Sequence, residues 1–167
     1  MQCTYMYLVR FSGTDGLMRL KSYTDYALRV LMHLAAKPDR LSSIAEMART
    51  YRISHNHLMK VVHDLGQKGY LDTVRGRNGG IRLMRAPGEI NIGQVVRDTE
   101  DDLDIVGCLQ SSGYCRIEEI CVLRGVVREA TDAFLAVFDG YTLADLIKPR
   151  AALSALLFEP REAGVSA

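Results

Sequence analysis

The chain has 167 residues, 48% of them hydrophobic, and a formal net charge of +1. That length supports one domain with a core, or a small domain plus an oligomerisation element. No run of about eighteen apolar residues occurs, so no membrane span is expected.

The mean charge hides an asymmetry. Residues 18–85 hold thirteen Lys/Arg against five Asp/Glu, whereas residues 86–167 hold seven against fourteen. A basic half beside an acidic half points to a polyanionic partner for the first half, although chance clustering on a solvated surface gives the same count. Residues 1–17 lack a basic start, an apolar core and a small-residue cleavage site, so they do not read as a signal peptide. They are expected to be a disordered extension, with a start-like stretch opening at Met18. The chain is expected in the cytoplasm, where thiols stay reduced and open to metal.

Apolar residues at Tyr23, Tyr26, Ala27, Val30, Leu31 and Leu34 predict a first helix to about Ala35, with Ser22 as its N-cap and Pro38 beyond its end. Ser43 and Glu46 form a capping-box pattern ahead of a second helix to Thr50. After a turn at Tyr51, Arg52 and Ile53, Ser54 is the expected cap of a third helix. There Leu58, Val61, Val62 and Leu65 recur at helical spacing, and Gly69 stands where the helix should stop. Residues 70–75 and 81–84 then read as two short strands around Gly76-Arg77-Asn78-Gly79-Gly80, with Asn78-Gly79 supplying residues tolerant of positive φ. Three helices and a hairpin are the order of a winged helix-turn-helix. The expected fold class is therefore mainly α with a small β-hairpin, a winged helix-turn-helix followed by a long dimerisation helix.

Ala86, Pro87 and Gly88 mark a hinge, and residues 92–100 a short helix. Residues 101–114 are acidic and contain Gly and Ser, the composition of a loop. From Ile117 to Phe138 a long helix is expected. Ile120, Leu123, Val127, Ala130, Phe134 and Val137 alternate three and four apart, a coiled-coil seam. A last short helix covers residues 141–147 and ends before Pro149, and the weakly patterned tail from Arg150 is expected to fray. The expected division is a disordered extension over 1–17 and a DNA-binding domain over 18–86. A cysteine loop with the dimerisation helix follows over 87–148, and a flexible tail over 149–167.

In a helix-turn-helix the second helix of the motif enters the major groove, and residues near its N-terminus reach base edges. The apolar face of the helix after Ser54 leaves His55, Asn56, His57 and Lys60 free. Asn pairs bidentately with adenine, and Lys reaches guanine or phosphate. An ordinary polar face is the bland alternative. At the hairpin, Arg75, Arg77 and Arg82 surround glycines, and arginine on a slim loop enters a narrow minor groove or grips phosphate. A nucleotide-binding loop is disfavoured, since these glycines join two strands instead of opening a helix.

Cys108, Cys115 and Cys121 form a C-x6-C-x5-C pattern, and Cys3 lies far from them. Structural zinc wants four ligands, often in close pairs, and all four histidines lie in the basic half. Three soft thiolates with a fourth position open suit an iron–sulfur cluster. Buried structural cysteines, a redox disulfide and zinc remain the alternatives.

Taken together, residues 18–148 resemble the IscR/NsrR-like family of winged-helix iron–sulfur transcriptional repressors. The matching stretches are Met18-Arg19-Leu20 with residues 24–29, Ser54-His55-Asn56-His57-Leu58 with Lys60, the wing from Val74 to Leu83, the three cysteines, and residues 141–146. Asn56-His57 and the Arg-Gly-Arg-Asn-Gly-Gly wing share most with the nitric-oxide-sensitive members. His55 departs from them, standing where they often carry Arg.

The resemblance implies a homodimer on double-stranded operator DNA, with one cluster, [2Fe–2S] or [4Fe–4S], per subunit on Cys108, Cys115 and Cys121. It also implies a fourth ligand from the first helix of the partner subunit, at the position of Asp25. A charge at a helix N-terminus is the other reading of Asp25. The expected function is a repressor that releases nitrosative-stress genes when nitric oxide reaches its cluster. A regulator responding to iron or to cluster supply is the alternative within the family. A redox or metal enzyme is disfavoured, because no acid–base pair or substrate motif accompanies the cysteines.

Overall fold

A computed structural model of the chain describes residues 20–77, 79–100, 117 and 120–158. The expectations for residues 1–19, for Asn78 and for Cys108 and Cys115 lie outside the described residues.

Helix α1 spans Ser22–Ala36 and buries Ala27, Val30, Leu31 and Leu34, the three-and-four spacing of one helical face. Its N-cap is Lys21, not Ser22, and Lys21 makes no side-chain cap bond. Helix α2 spans Ile44–Tyr51, and the Ser43 hydroxyl accepts from Glu46 N at 3.1 Å. Only that half of the capping box forms, because the Glu46 carboxylate pairs with Arg40 at 2.9 Å. Arg52 closes α2 in the left-handed region, at φ 55°. Helix α3, His55–Gln67, turns Leu58, Val61, Val62 and Leu65 into the core. Ser54 occupies its N-cap position, and Ser54 O accepts from Leu58 N at 3.1 Å, but the hydroxyl makes no cap bond.

Strands β1, Leu71–Val74, and β2, Gly80–Leu83, pair antiparallel, with Leu71 opposite Leu83 and Val74 opposite Gly80. Ser42 adds a bridge from outside the hairpin: its N donates to Ile81 O at 3.1 Å, and Ile81 N returns a bond at 2.8 Å. That close approach requires glycine next door. A Cβ on Gly80 would lie 2.8 Å from Leu41 Cβ and 3.0 Å from Ser42 O. At the tip Gly76 takes a positive φ of 112°.

A short 3-10 turn, Pro87–Glu89, leads to helix α4, Ile92–Thr99, which buries Ile92, Val95 and Val96. Helix α5 spans Val122–Asp139. It starts five residues later than its apolar pattern suggests, because Cys121 is extended at φ −80° and ψ 107°. The two helices are joined by Arg97, whose Nη1 and Nη2 donate to the Asp139 carboxylate at 2.6 and 2.8 Å. Helix α6, Leu143–Leu146, returns to α4 through Ile92 N to Tyr141 O at 2.9 Å and Leu143 N to Ile90 O at 2.8 Å. Buried residues of α1, α3, α4 and α6 form one core with both strands.

Two consequences bear on function. Of α5, only Leu135 is buried. Ile120 just ahead of the helix is 81% exposed, and Leu123 and Val137 within it are 56% and 62% exposed, so most of the expected seam is left uncovered by the described residues. Residues Arg150–Phe158, where the pattern suggested no element, form helix α7. It lies on α1, with Arg150 Nε donating to Ala36 O at 3.3 Å and the Phe158 ring 4.7 Å from that of His33.

Candidate nucleic-acid interface and metal centre

On α3 the side opposite the buried residues carries Asn56, Lys60 and His63, four and three positions apart and all exposed. His55 and Met59 flank this row, and Met59 is 47% exposed, unusual for a side chain with so much apolar surface. Neither Met59 nor His63 was an expected contact. Met59 lies between the expected His57 and Lys60, and His63 about one turn beyond Lys60, and exposure is the feature that adds them. A groove of about 460 Å³ runs between α3 and the hairpin, lined by His55, Met59, His63, Thr73 and Gly80 among others. The wing and α3 therefore flank one continuous surface.

Within this surface two expected contacts have other partners. His57 turns aside from the row, and its ring faces Tyr26 of α1, with centroids 6.4 Å apart and planes 24° apart. Arg82 is engaged across the hairpin by Asp72, to which Nε and Nη2 donate at 2.9 and 2.7 Å. Arg75 and Arg77 stand exposed at the tip, beside the strand ends. Ser54 is exposed at the start of α3.

Of the expected metal ligands, Cys121 is described. It is a free, half-buried thiol at the N-cap of α5. A free thiol that reaches the surface fits a metal ligand better than a sealed core cysteine or a disulfide staple. Asp25 lies in the first turn of α1, half-exposed, and Arg29 Nε donates to its Oδ1 at 3.0 Å. Among the described residues no three His, Cys, Asp or Glu side chains converge to hold a metal ion.

The last turn of α4 was not singled out in the sequence, yet it touches the DNA-binding elements twice. Tyr70 Oη, at the start of the hairpin, donates to the Asp98 carboxylate, and Lys68 Nζ, just past α3, donates to Asp98 O. Burial and that bond push the Tyr70 phenol well above its ordinary range. Glu100 Oε1 accepts from Lys21 N at 2.7 Å and from Thr24 Oγ1 at 2.6 Å, at the start of α1.

Architecture and surface together define a winged helix-turn-helix DNA-binding regulator. Residues 20–149 match the family model described as Rrf2, iron-dependent transcriptional regulator, and the chain belongs to that family. It is 54% identical over 142 residues to the HTH-type transcriptional regulator NsrR of Bacillus subtilis (strain 168), covering 84% of this chain and 97% of that one. The NsrR of Geobacillus kaustophilus is 49% identical over 146 residues, covering 86% and 99%. Among solved structures, CymR, the global cysteine regulator of B. subtilis, superposes with a TM-score of 0.62 at 25% identity, over 78% of this chain and 96% of that one. IscR of T. potens superposes at 0.65 and 25%, over 82% and 90%. The chain is a transcriptional regulator of the NsrR type and not an enzyme.

Proposed function

We propose that this regulator is a homodimeric cytoplasmic repressor that senses nitric oxide through an iron–sulfur cluster and releases nitrosative-stress operators in response. The observation that carries this reading is the similarity, at about half of all positions over most of the chain, to regulators named NsrR. Cys108, Cys115 and Cys121 would hold a [2Fe–2S] or [4Fe–4S] cluster in each subunit, and Asp25 of the partner subunit the remaining iron. When bound, the cluster supplies iron that reacts with nitric oxide. A carboxylate is a weaker ligand for that iron than a thiolate, so Asp25 is the ligand most readily surrendered. Once released, it has Arg29 as a ready partner in its own helix.

Asn56, His63 and the flanking His55 and Met59 would read base edges in the major groove. Ser54, Lys60, Arg75, Arg77 and Asn78 would meet phosphate, while His57 and Arg82 would support the surface through Tyr26 and Asp72. A dimer across α5 would set two such surfaces about one helical turn apart. In keeping with this division, residues 18–86 would form the DNA-binding domain, and residues 87–148 the sensing and dimerisation unit.

Anaerobically purified, cluster-loaded protein titrated with nitric oxide tests this. Visible absorbance and operator affinity should fall together. Operator binding that ignores nitric oxide but follows iron or cluster loading would favour the second reading, a sensor of iron or cluster supply. The family's description as iron-dependent speaks for that second reading.

A further inference from the structure

The geometry points to Glu100 as a positioning residue, through which the cysteine-bearing segment sets the first helix of the DNA-binding half. This rests on the reading of that segment as the cluster site.

A helix begins with four backbone N–H groups that have no partner inside it. The N-cap of α1, Lys21, supplies none of its own side chain to them. The cap comes from 79 positions away. Glu100 Oε1 takes the Lys21 N–H at 2.7 Å and the Thr24 hydroxyl at 2.6 Å, and Oε2 lies 4.0 Å from the Lys21 ammonium. The Glu100 side chain is 4% exposed and Thr24 is wholly buried. A carboxylate taken this far out of water holds its place only while those donors are present.

The position of this carboxylate is tied to the cysteine segment by the chain itself. Glu100 N donates to Val96 O at 2.9 Å, so Glu100 ends α4, and the residue after it opens the stretch that carries Cys108 and Cys115 and closes at Cys121. On the other side, Thr24 is followed by Asp25 and then by Tyr26, whose ring faces His57 of α3. Asp98, in the same turn of α4, is held from the far end of α3 by Lys68 and Tyr70. One turn of helix thus grips the start of α1 and the end of α3. A change in the cysteine segment that draws Glu100 away uncaps α1 and frees the helix that backs the recognition helix. This route lies within one subunit, beside any tie made across the dimer through Asp25.

The test compares operator affinity with and without the cluster for wild type, Glu100→Ala and Glu100→Gln. Glutamine keeps the accepting oxygen and the length, whereas alanine removes both. Coupling between two sites usually spans about 5–150-fold. The wild-type ratio should fall in that range, drop to within about twofold of one in Glu100→Ala, and return in Glu100→Gln. Backbone hydrogen exchange at Lys21, measured on the cluster-free protein, should accelerate in Glu100→Ala and not in Glu100→Gln.

An unchanged ratio in Glu100→Ala overturns the inference and leaves Glu100 as a helix cap only. Unchanged exchange at Lys21 overturns it as well. If Glu100→Ala does not fold, Thr24→Val removes the hydroxyl donor at nearly constant volume, and the same ratio decides. A wild-type ratio of one overturns the cluster reading and this inference together, and that single measurement on wild type tells the two failures apart.

Discussion

Arg82 and Asp72 face one another across the hairpin, and two guanidinium nitrogens of the first donate to one carboxylate oxygen of the second at 2.9 and 2.7 Å. Both side chains are about half exposed, which limits such a cross-strand pair to roughly 0.2–1 kcal/mol. Arg77 is exposed at the tip. Arg77→Ala should therefore lower the slope of log affinity against log salt by about 0.9, the release expected for one phosphate contact. Arg82→Ala should lower thermal stability slightly and leave the slope nearly unchanged. Fluorescence anisotropy on operator DNA across a salt series measures both, and a larger slope change for Arg82 would mean that the pair opens to meet phosphate.

Asn56 is exposed at the first turn of α3, in line with Lys60 and His63. If it pairs with a base, Asn56→Ala should cost about 1–3 kcal/mol on the operator and much less on unrelated DNA. Equal losses on both would make Asn56 a backbone contact.

How far the sequence reveals this molecule depends on where each residue's partner lies. The core faces of α1 and α3 were legible because Ala27, Val30, Leu31 and Leu34, or Leu58, Val61, Val62 and Leu65, follow a period set by the helix itself. The end of α1 was not. Ser22 is the better local cap by type, but the N-cap is Lys21, whose N–H donates to Glu100, 79 residues on. His57 and Arg82 were read as free because Tyr26 and Asp72 lie on other elements. Helix α7 escaped notice because alanine and leucine occupy all of residues 151–157 but Ser154, with little alternation, and its anchor, the His33 ring, is remote in sequence. The cysteine spacing suggests a chemistry but no position, and of the three only Cys121 lies among the described residues.

That chemistry is open to direct test. Cys108→Ser, Cys115→Ser and Cys121→Ser should each abolish the visible chromophore of anaerobically prepared protein, since a hard hydroxyl replaces a soft thiolate. Cys3→Ser should leave it intact. Full iron content in the Cys115 variant would remove that residue from the ligand set.

The exposed seam of α5 makes a separate claim. Val127 is half-buried on a helix whose Leu123 and Val137 are open to solvent. Val127→Asp would place a charge in any interface formed there, at a cost of several kcal/mol unless it is paired. The variant should sediment as a monomer and lose operator binding. A persistent dimer would place the subunit interface elsewhere.

His33 is wholly buried in α1 between the rings of Tyr51 and Phe158, 5.8 and 4.7 Å away, and among the described residues neither ring nitrogen has a hydrogen-bond partner. Burial pushes its pKa down from 6.5 to about 4, with nearby Glu46 opposing the shift and Arg40 adding to it. The folded chain thus holds a proton on His33 less tightly than the unfolded chain does. Above pH 6.5 both are neutral there and the site adds no pH dependence. Between pH 6.5 and about 4 the unfolded chain takes up a proton that the folded one refuses, so stability falls as the pH falls. From pH 7 to pH 5 the loss should be about 2 kcal/mol. Urea unfolding of the cluster-free protein at the two pH values measures it. His33→Phe fills the aromatic site without a titrating group and should show a smaller loss over the same interval by about that amount, with every other titrating group common to both proteins. Phe158→Ala should give an intermediate loss, because water reaching the ring restores part of the ordinary pKa. Equal losses in wild type and His33→Phe would mean that His33 is hydrated in solution and that α7 does not cover it.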